Sequence, residues 1–155
     1  MSKNFWIYDF NIGKLGIAVE GNYLKKVFFS DYPIKDYVKE ETDFIKNIRV
    51  ILEEYLIGKR REFDIPLALE GTDFQKAVWQ ALIEIPYGET RSYLDIASKI
   101  GNAKAVRAVG LANNRNPIAI IVPCHRVIGK NGKLVGYAGG LQMKEDLIKL
   151  ELSNK

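Results

Sequence analysis

The chain has one cysteine and one histidine in 155 residues. A lone thiol cannot close a disulfide within the chain, so no covalent staple holds the fold. One thiol and one imidazole are too few ligands for a Cys/His zinc site, so no metal is expected. No apolar run reaches the roughly 18 residues that a membrane helix needs. The opening residues, Met1-Ser2-Lys3-Asn4-Phe5, do not begin the long apolar stretch of a secretion signal. No membrane partner is therefore expected. An unpaired thiol suits a reducing compartment, and the cytoplasm is the expected location. Repeats and low-complexity segments are also missing. What remains is a chain held by an ordinary apolar core. At 47% hydrophobic and 27% charged, it has enough for one compact unit or two small lobes.

The formal net charge of +4 is unevenly placed. Residues 1–70 carry 11 Lys/Arg against 12 Asp/Glu, and residues 71–155 carry 12 against 7. A basic half suits a polyanion such as nucleic acid, though it is also compatible with a solvated surface that has no partner.

The basic half holds the only cysteine and histidine, side by side in Val122-Pro123-Cys124-His125-Arg126-Val127. Two readings are open. Cys124 follows the apolar run Ile118–Val122 and could be a small core residue. Alternatively, Cys124 is an activated thiolate whose proton His125 takes.

The chain's periodicity divides it in two. Phe5–Tyr8, Gly16–Val19 and Leu24–Phe29 read as short strands, with turns at Asn11–Gly13 and Glu20–Asn22. From Asp43 to Leu56 the spacing of Phe44, Ile48, Ile51, Leu52 and Tyr55 is helical, and Gly58 ends the pattern. Lys59–Glu62 reads as a solvated basic loop and Phe63–Leu69 as extended chain, with a linker near Glu70-Gly71. Thr72 caps a helix carrying Phe74, Val78, Leu82 and Ile85, which Pro86-Tyr87-Gly88 breaks. Ser92, with Asp95 three residues on, caps a short second helix closed by Gly101-Asn102. Ala103–Asn114 is a third helix, and the pair suggests a helix-turn-helix. Ile118–Val122 reads as a buried strand or extended segment, Gly129–Lys133 as a tight turn, Val135–Gly140 as a loop, and Leu141–Leu152 as the last helix.

The expected architecture is α/β. A small N-terminal α+β domain, a three-stranded antiparallel sheet plus a helix, occupies residues 1–70. A mainly helical C-terminal domain with a helix-turn-helix occupies residues 71–155.

In the third helix, Ala105, Val109 and Ala112 form one face, while Ala103, Arg107, Gly110 and Asn114 form another. The second face is small apart from Arg107. It allows close approach either by DNA or by another helix of the same chain. On the last helix, Glu151 shares the apolar face with Leu147 and Ile148, where a carboxylate needs a partner. His125 is the one imidazole it could orient, in a Cys-His-carboxylate relay. The competing reading is a solvated residue near a frayed helix end.

These motifs stand together in a recognisable order. Pro123-Cys124-His125-Arg126-Val127 resembles the active-site motif of the O6-alkylguanine-DNA alkyltransferases. Pro86-Tyr87-Gly88-Glu89-Thr90 with Ser92-Tyr93, Ala105–Gly110, Asn116-Pro117, Gly136–Leu141 and Lys144-Glu145 match the family in spacing over residues 72–152. The first 70 residues are compatible with its variable N-terminal domain.

The resemblance implies a single-use repair protein that moves an alkyl group from guanine O6 in double-stranded DNA to Cys124. It implies a flipped base, approach through the minor groove, no cofactor, and action as a monomer. His125 would be the base, acting through a water, with Glu151 behind it and Asn116 bracing the turn. Arg107 would fill the vacated stack, and Tyr93 would help rotate the nucleotide and hydrogen-bond to the base. Ser92, Ala105, Gly110 and Asn114 would complete the DNA-facing side. The carbonyls of Cys124 and Val127 would accept from the guanine amino group, and the Tyr93 hydroxyl and Ala138 N–H would serve O6. Asn113, Val135, Tyr137, Ala138 and Gly139 would complete the pocket. Position 138 is Ala where many relatives have Ser; only a backbone donor is needed there. Some members bind zinc in the N-terminal domain, but this chain has no Cys or His there.

Two other functions compete with repair. A Cys-His-Glu hydrolase would turn over without DNA. A module that marks alkylated guanine without transfer would not need the thiol, and the presence of Cys124 argues against it.

Overall fold

The computed structural model describes residues 1–30 and 33–155. The chain divides into two compact units, Met1–Leu69 and Glu70–Lys155.

In the first unit, β1 (Lys3–Phe10), β2 (Gly13–Glu20) and β3 (Tyr23–Phe28) form an antiparallel meander. A fourth strand, β4 (Val38–Lys39), joins the sheet, giving the order β3-β2-β1-β4. It pairs parallel to β1 through Asn4↔Val38 and Phe5↔Lys39. The expected three-stranded sheet is thus corrected to four. A strand of two exposed residues carries no alternation to read.

Gly16 lies under the Phe28 ring, where a Cβ would come within 2.1 Å of that ring. A larger residue there would force the Phe28 ring to shift. Helix α1 (Asp43–Leu56) packs on β1 and β2 and is capped by Thr42, whose side chain accepts from Ile45 N. Ile45, Ile48, Leu52, Tyr55 and Leu56 are its buried residues. Ile48, Leu52 and Tyr55 are buried as the spacing suggests, whereas Phe44 and Ile51 are only half-buried and Ile45 and Leu56 complete the buried stripe. Each fully buried aliphatic side chain contributes about 1.5–3 kcal/mol, so this one face outweighs any intrinsic helix preference. Gly58 adopts φ 79° just past the helix, a conformation that costs glycine little.

The second unit begins with α2 (Asp73–Ile83). A reciprocal Thr72–Gln75 capping box starts it. Val78, Trp79, Ala81 and Leu82 are buried, and Trp79 Nε1 donates to Ala112 O at 2.9 Å. Strand β5 (Arg91–Ser92) leads straight into α3 (Tyr93–Lys99), whose start is fixed by a second capping box, Ser92–Asp95. Helix α4 (Val106–Asn114) starts three residues later than its composition suggests, and its Ala105 cap makes no side-chain hydrogen bond. The preceding residues close a turn instead, with Gly101 at φ 82° and Ala105 N donating to Asn102 O.

Ile118–Val122 is buried, but it is not extended. Ile121 N donates to Ala119 O and Val122 N to Ile118 O, and Ile120 sits at φ 72°. The expected strand is replaced by a coiled turn. The apolar run reports burial, which helix, strand and turn can share. Strand β6 (Val127–Ile128) and α5 (Leu141–Ser153) complete the unit. Among the described residues, no helix is long and apolar enough to cross a membrane.

Candidate active site

Cys124 opens a single 3-10 turn, Cys124–Arg126, directly after the coiled segment. It is 7% exposed. Burial raises the pKa of its thiol. The Asn116 side chain, the Lys144 ammonium and the backbone N–H groups of Cys124 and His125 favour the thiolate without overcoming that burial. Asn116 also builds the turn itself. Its Nδ2 donates to Val122 O at 2.7 Å, and its Oδ1 accepts from Ile118 N at 3.0 Å. These bonds grip both ends of the segment containing Ile120. A β-branched residue at positive φ costs on the order of 1–3 kcal/mol, and such strain persists only where the surroundings enforce it.

His125 is fully buried, and its Nε2 lies 2.7 Å from Glu151 Oε2. With Nε2–H donating to the carboxylate, Nδ1 is the basic nitrogen. Burial lowers the imidazole pKa more than Glu151 raises it, and the Arg126 and Lys144 charges lower it further. The resting ring is neutral and can accept a proton.

Glu151 is 2% exposed and sits at the centre of a donor shell. Gly88 N donates at 3.1 Å, Arg126 Nε at 2.8 Å and Arg126 Nη2 at 2.9 Å, besides His125. Burial pushes the carboxyl pKa up, but hydrogen bonds and charge, first from the His125 ring when it is protonated and then from Arg126, hold it at about 2. Arg126 is itself fixed by Nη1 donating to Ile85 O at 2.7 Å and by the Tyr87 ring beneath its guanidinium. Glu151 is therefore a buried, partnered carboxylate and not a solvated helix-end residue.

Parallel pairing of β5 with β6, Arg91↔Val127 and Ser92↔Ile128, ties the start of α3 to the segment after the cysteine. Tyr93 follows β5 directly. Burial raises its phenol pKa, and Cys124, when ionised, adds to the rise. Its hydroxyl donates to Val135 O at 3.1 Å. The same carbonyl accepts from Lys144 Nζ at 2.8 Å. Lys144 is fully buried, its Nζ is 5.9 Å from the Tyr93 ring centre, and burial brings its pKa down to about 8.

In the loop that follows, Val135 and Ala138 are exposed, and Tyr137 and Gly139 are half-buried. Gly136 adopts φ 46°, and a Cβ there would lie 3.1 Å from Asn114 Nδ2, so the loop meets the end of α4. Asn113, 1% exposed, donates from Nδ2 to Cys124 O at 3.4 Å. Gly110 faces the Tyr93 ring, while Arg107 is exposed and Ala105 half-buried at the start of α4. The Ser92 hydroxyl accepts from Asp95 N as the α3 cap.

Cys124, His125, Glu151, Asn116, Asn113, Tyr93 and Val127 thus lie in one set of linked elements. Sequence reasoning assigned no role to Arg126, Gly88 or Lys144. All three stand in the motifs already noted, but nothing in their order says that one carboxylate binds the first two.

Comparison with known proteins decides the family. Residues 73–153 match the model for the 6-O-methylguanine DNA methyltransferase DNA-binding domain. Residues 5–69 match the ribonuclease-like domain of the same proteins. The chain belongs to the 6-O-methylguanine DNA methyltransferase family.

Within this methyltransferase family, a methylated-DNA–protein-cysteine methyltransferase of Methanosarcina acetivorans is 56% identical over 149 residues, covering 94% of this chain and 96% of that protein. The constitutive enzyme of Bacillus subtilis is 47% identical, covering 90% of each. The crystal structure of Mycobacterium tuberculosis OGT in complex with DNA matches with a TM-score of 0.92 at 47% identity, covering 97% of this chain and 94% of that one.

Proposed function

We propose that this chain repairs DNA by moving the alkyl group of O6-alkylguanine irreversibly to Cys124 Sγ. The observation that carries the chemistry is the buried Cys124 turn, backed by the His125–Glu151 pair at 2.7 Å. Burial keeps the resting thiol protonated, so transfer needs a base. Neutral His125 takes the thiol proton through a water. Glu151, ionised because of its donor shell, stabilises the imidazolium. The sulfur attacks the alkyl carbon in line, the S–C bond forms as the C–O6 bond breaks, and the electron pair stays on the base. The departing guanine regains one proton, balancing the one lost by the thiol. The Tyr93 hydroxyl, turning from Val135 O, and the Ala138 N–H donate to O6 during departure. A thioether is not hydrolysed under these conditions, so each molecule acts once.

The second unit serves both DNA binding and transfer. Helices α3 and α4 form the helix-turn-helix, with α4 in the minor groove and the base flipped out. Exposed Arg107 fills the gap in the stack. Ser92, Ala105, Gly110 and Asn114 line the approach, and Asn113, Val127, Val135, Tyr137, Ala138 and Gly139 enclose the base. The protein acts as a monomer in the cytoplasm, where a free thiol stays reduced.

Intact-protein mass spectrometry after incubation with a duplex carrying O6-methylguanine tests this reading. One added methyl mass on Cys124, stopping at one per molecule, supports it. Lesion binding without an adduct would replace transfer by recognition alone. Neither adduct nor binding would reopen the hydrolase reading.

A further inference from the structure

We infer that Asn113 reads the exocyclic amino group of the target guanine and that its amide stands in for that group in the resting protein. The inference rests on the transfer reading above.

Asn113 is buried on α4, and its Nδ2 reaches Cys124 O at 3.4 Å, the long end of a hydrogen bond. Cys124 O also accepts from Val127 N, which closes the 3-10 turn. Both lone pairs of that carbonyl are in use, and the Asn113 bond is the one a better donor would displace. Asn113 Oδ1 is buried and has no hydrogen-bond partner among the described residues. Turning the amide over does not relieve this, because Oδ1 would then face the Cys124 carbonyl, acceptor against acceptor. A buried acceptor left in this state calls for a functional explanation.

The edge of O6-alkylguanine supplies what is missing. Alkylation at O6 removes the proton from N1, so the amino group is the one donor group left on that edge. It carries two N–H. One takes the place of Asn113 Nδ2 at Cys124 O, and the amino group then lies beside Asn113 Oδ1. Asn113 adds an acceptor from a side chain, and unlike the Cys124 carbonyl it can be removed by substitution. A base without the amino group displaces the resting bond and leaves Oδ1 unmatched. Sites built to pair a polar group reject analogues that lack it.

The test compares transfer rates to Cys124 from duplexes carrying O6-methylguanine or O6-methylhypoxanthine, which differ only in the amino group. Wild type, Asn113→Leu and Asn113→Ala are each measured on both substrates. The ratio of rates on one protein is independent of how much of it is folded, so partial misfolding does not hide the answer. Wild type should prefer guanine. Both variants should lose roughly a fivefold or larger part of that preference, with the loss falling on the guanine substrate. An unchanged ratio in either variant, or no preference in wild type, overturns the role of Asn113 while leaving transfer intact. Failure of wild type to methylate Cys124 from O6-methylguanine would overturn the transfer reading and this one with it.

Discussion

Replacing Glu151 with Gln tests the buried relay quantitatively, because two routes predict the same size of effect. The first is structural. Glu151 takes two bonds from Arg126, one from His125 and one from Gly88 N, at 2% exposure. A neutral amide leaves the Arg126 guanidinium buried without its counter-charge, which costs about 3–5 kcal/mol. The second is linkage. A carboxyl held at about 2 instead of its ordinary 4.5 contributes up to about 3 kcal/mol to stability at neutral pH, with Arg126 supplying the charge that persists when His125 is neutral. The folded pKa lies below the unfolded one. The stabilisation is therefore fully present above about pH 4.5 and is lost as pH falls towards 2.

Trp79 in the second unit is 2% exposed, so its fluorescence reports unfolding there once Trp6 is changed to Phe. In that background, urea denaturation of the parent and of its Glu151→Gln variant should differ by about 3 kcal/mol at pH 7 and by under about 1 kcal/mol near pH 2.5. A difference that does not change with pH, or one below about 1 kcal/mol at pH 7, would refute the claim that the network stabilises through an ionised Glu151.

Three further outcomes are expected. Arg107→Ala should slow transfer from duplex DNA far more than from free O6-benzylguanine, since Arg107 is exposed on α4; equal slowing would remove its role in the stack. Asn116→Ala removes a group that favours the Cys124 thiolate, so the rate of iodoacetamide alkylation against pH should shift to higher pH. An unmoved profile would reduce Asn116 to bracing the turn. Gly110→Ala places a Cβ at 3.8 Å from the Tyr93 ring, an ordinary contact, so α4 should gain about 0.5–1 kcal/mol in stability. Its duplex transfer should fall while free O6-benzylguanine reacts normally; unimpaired duplex transfer would show that DNA does not approach Gly110 closely.

Much of this protein is decided locally, and local rules can be read from order alone. Thr72 and Ser92 start α2 and α3 because each has an acceptor for its backbone N–H three residues on, within one turn. The three long strands are legible because runs rich in aromatic and β-branched residues lie next to turn residues. Two residues of β4 carry no such pattern, and their pairing with Asn4 and Phe5 is a non-local event. The run Ile118–Val122 announces burial but not its path; that path depends on Asn116 bonding to Val122 and Ile118.

The same division runs through the site. Cys124 and His125 could be named from adjacency, yet adjacency alone suggests that the ring serves the thiol directly. The partner of its Nε2 is Glu151, 26 positions away, and only folding brings them to 2.7 Å. Arg126, Gly88 and Lys144 acquire their meaning the same way, from carbonyls and a carboxylate supplied by distant segments. The identity of the reactive group is a property of the chain. Its protonation state is set by burial and by charges a few ångströms away, and those distances exist only once the tertiary structure has formed.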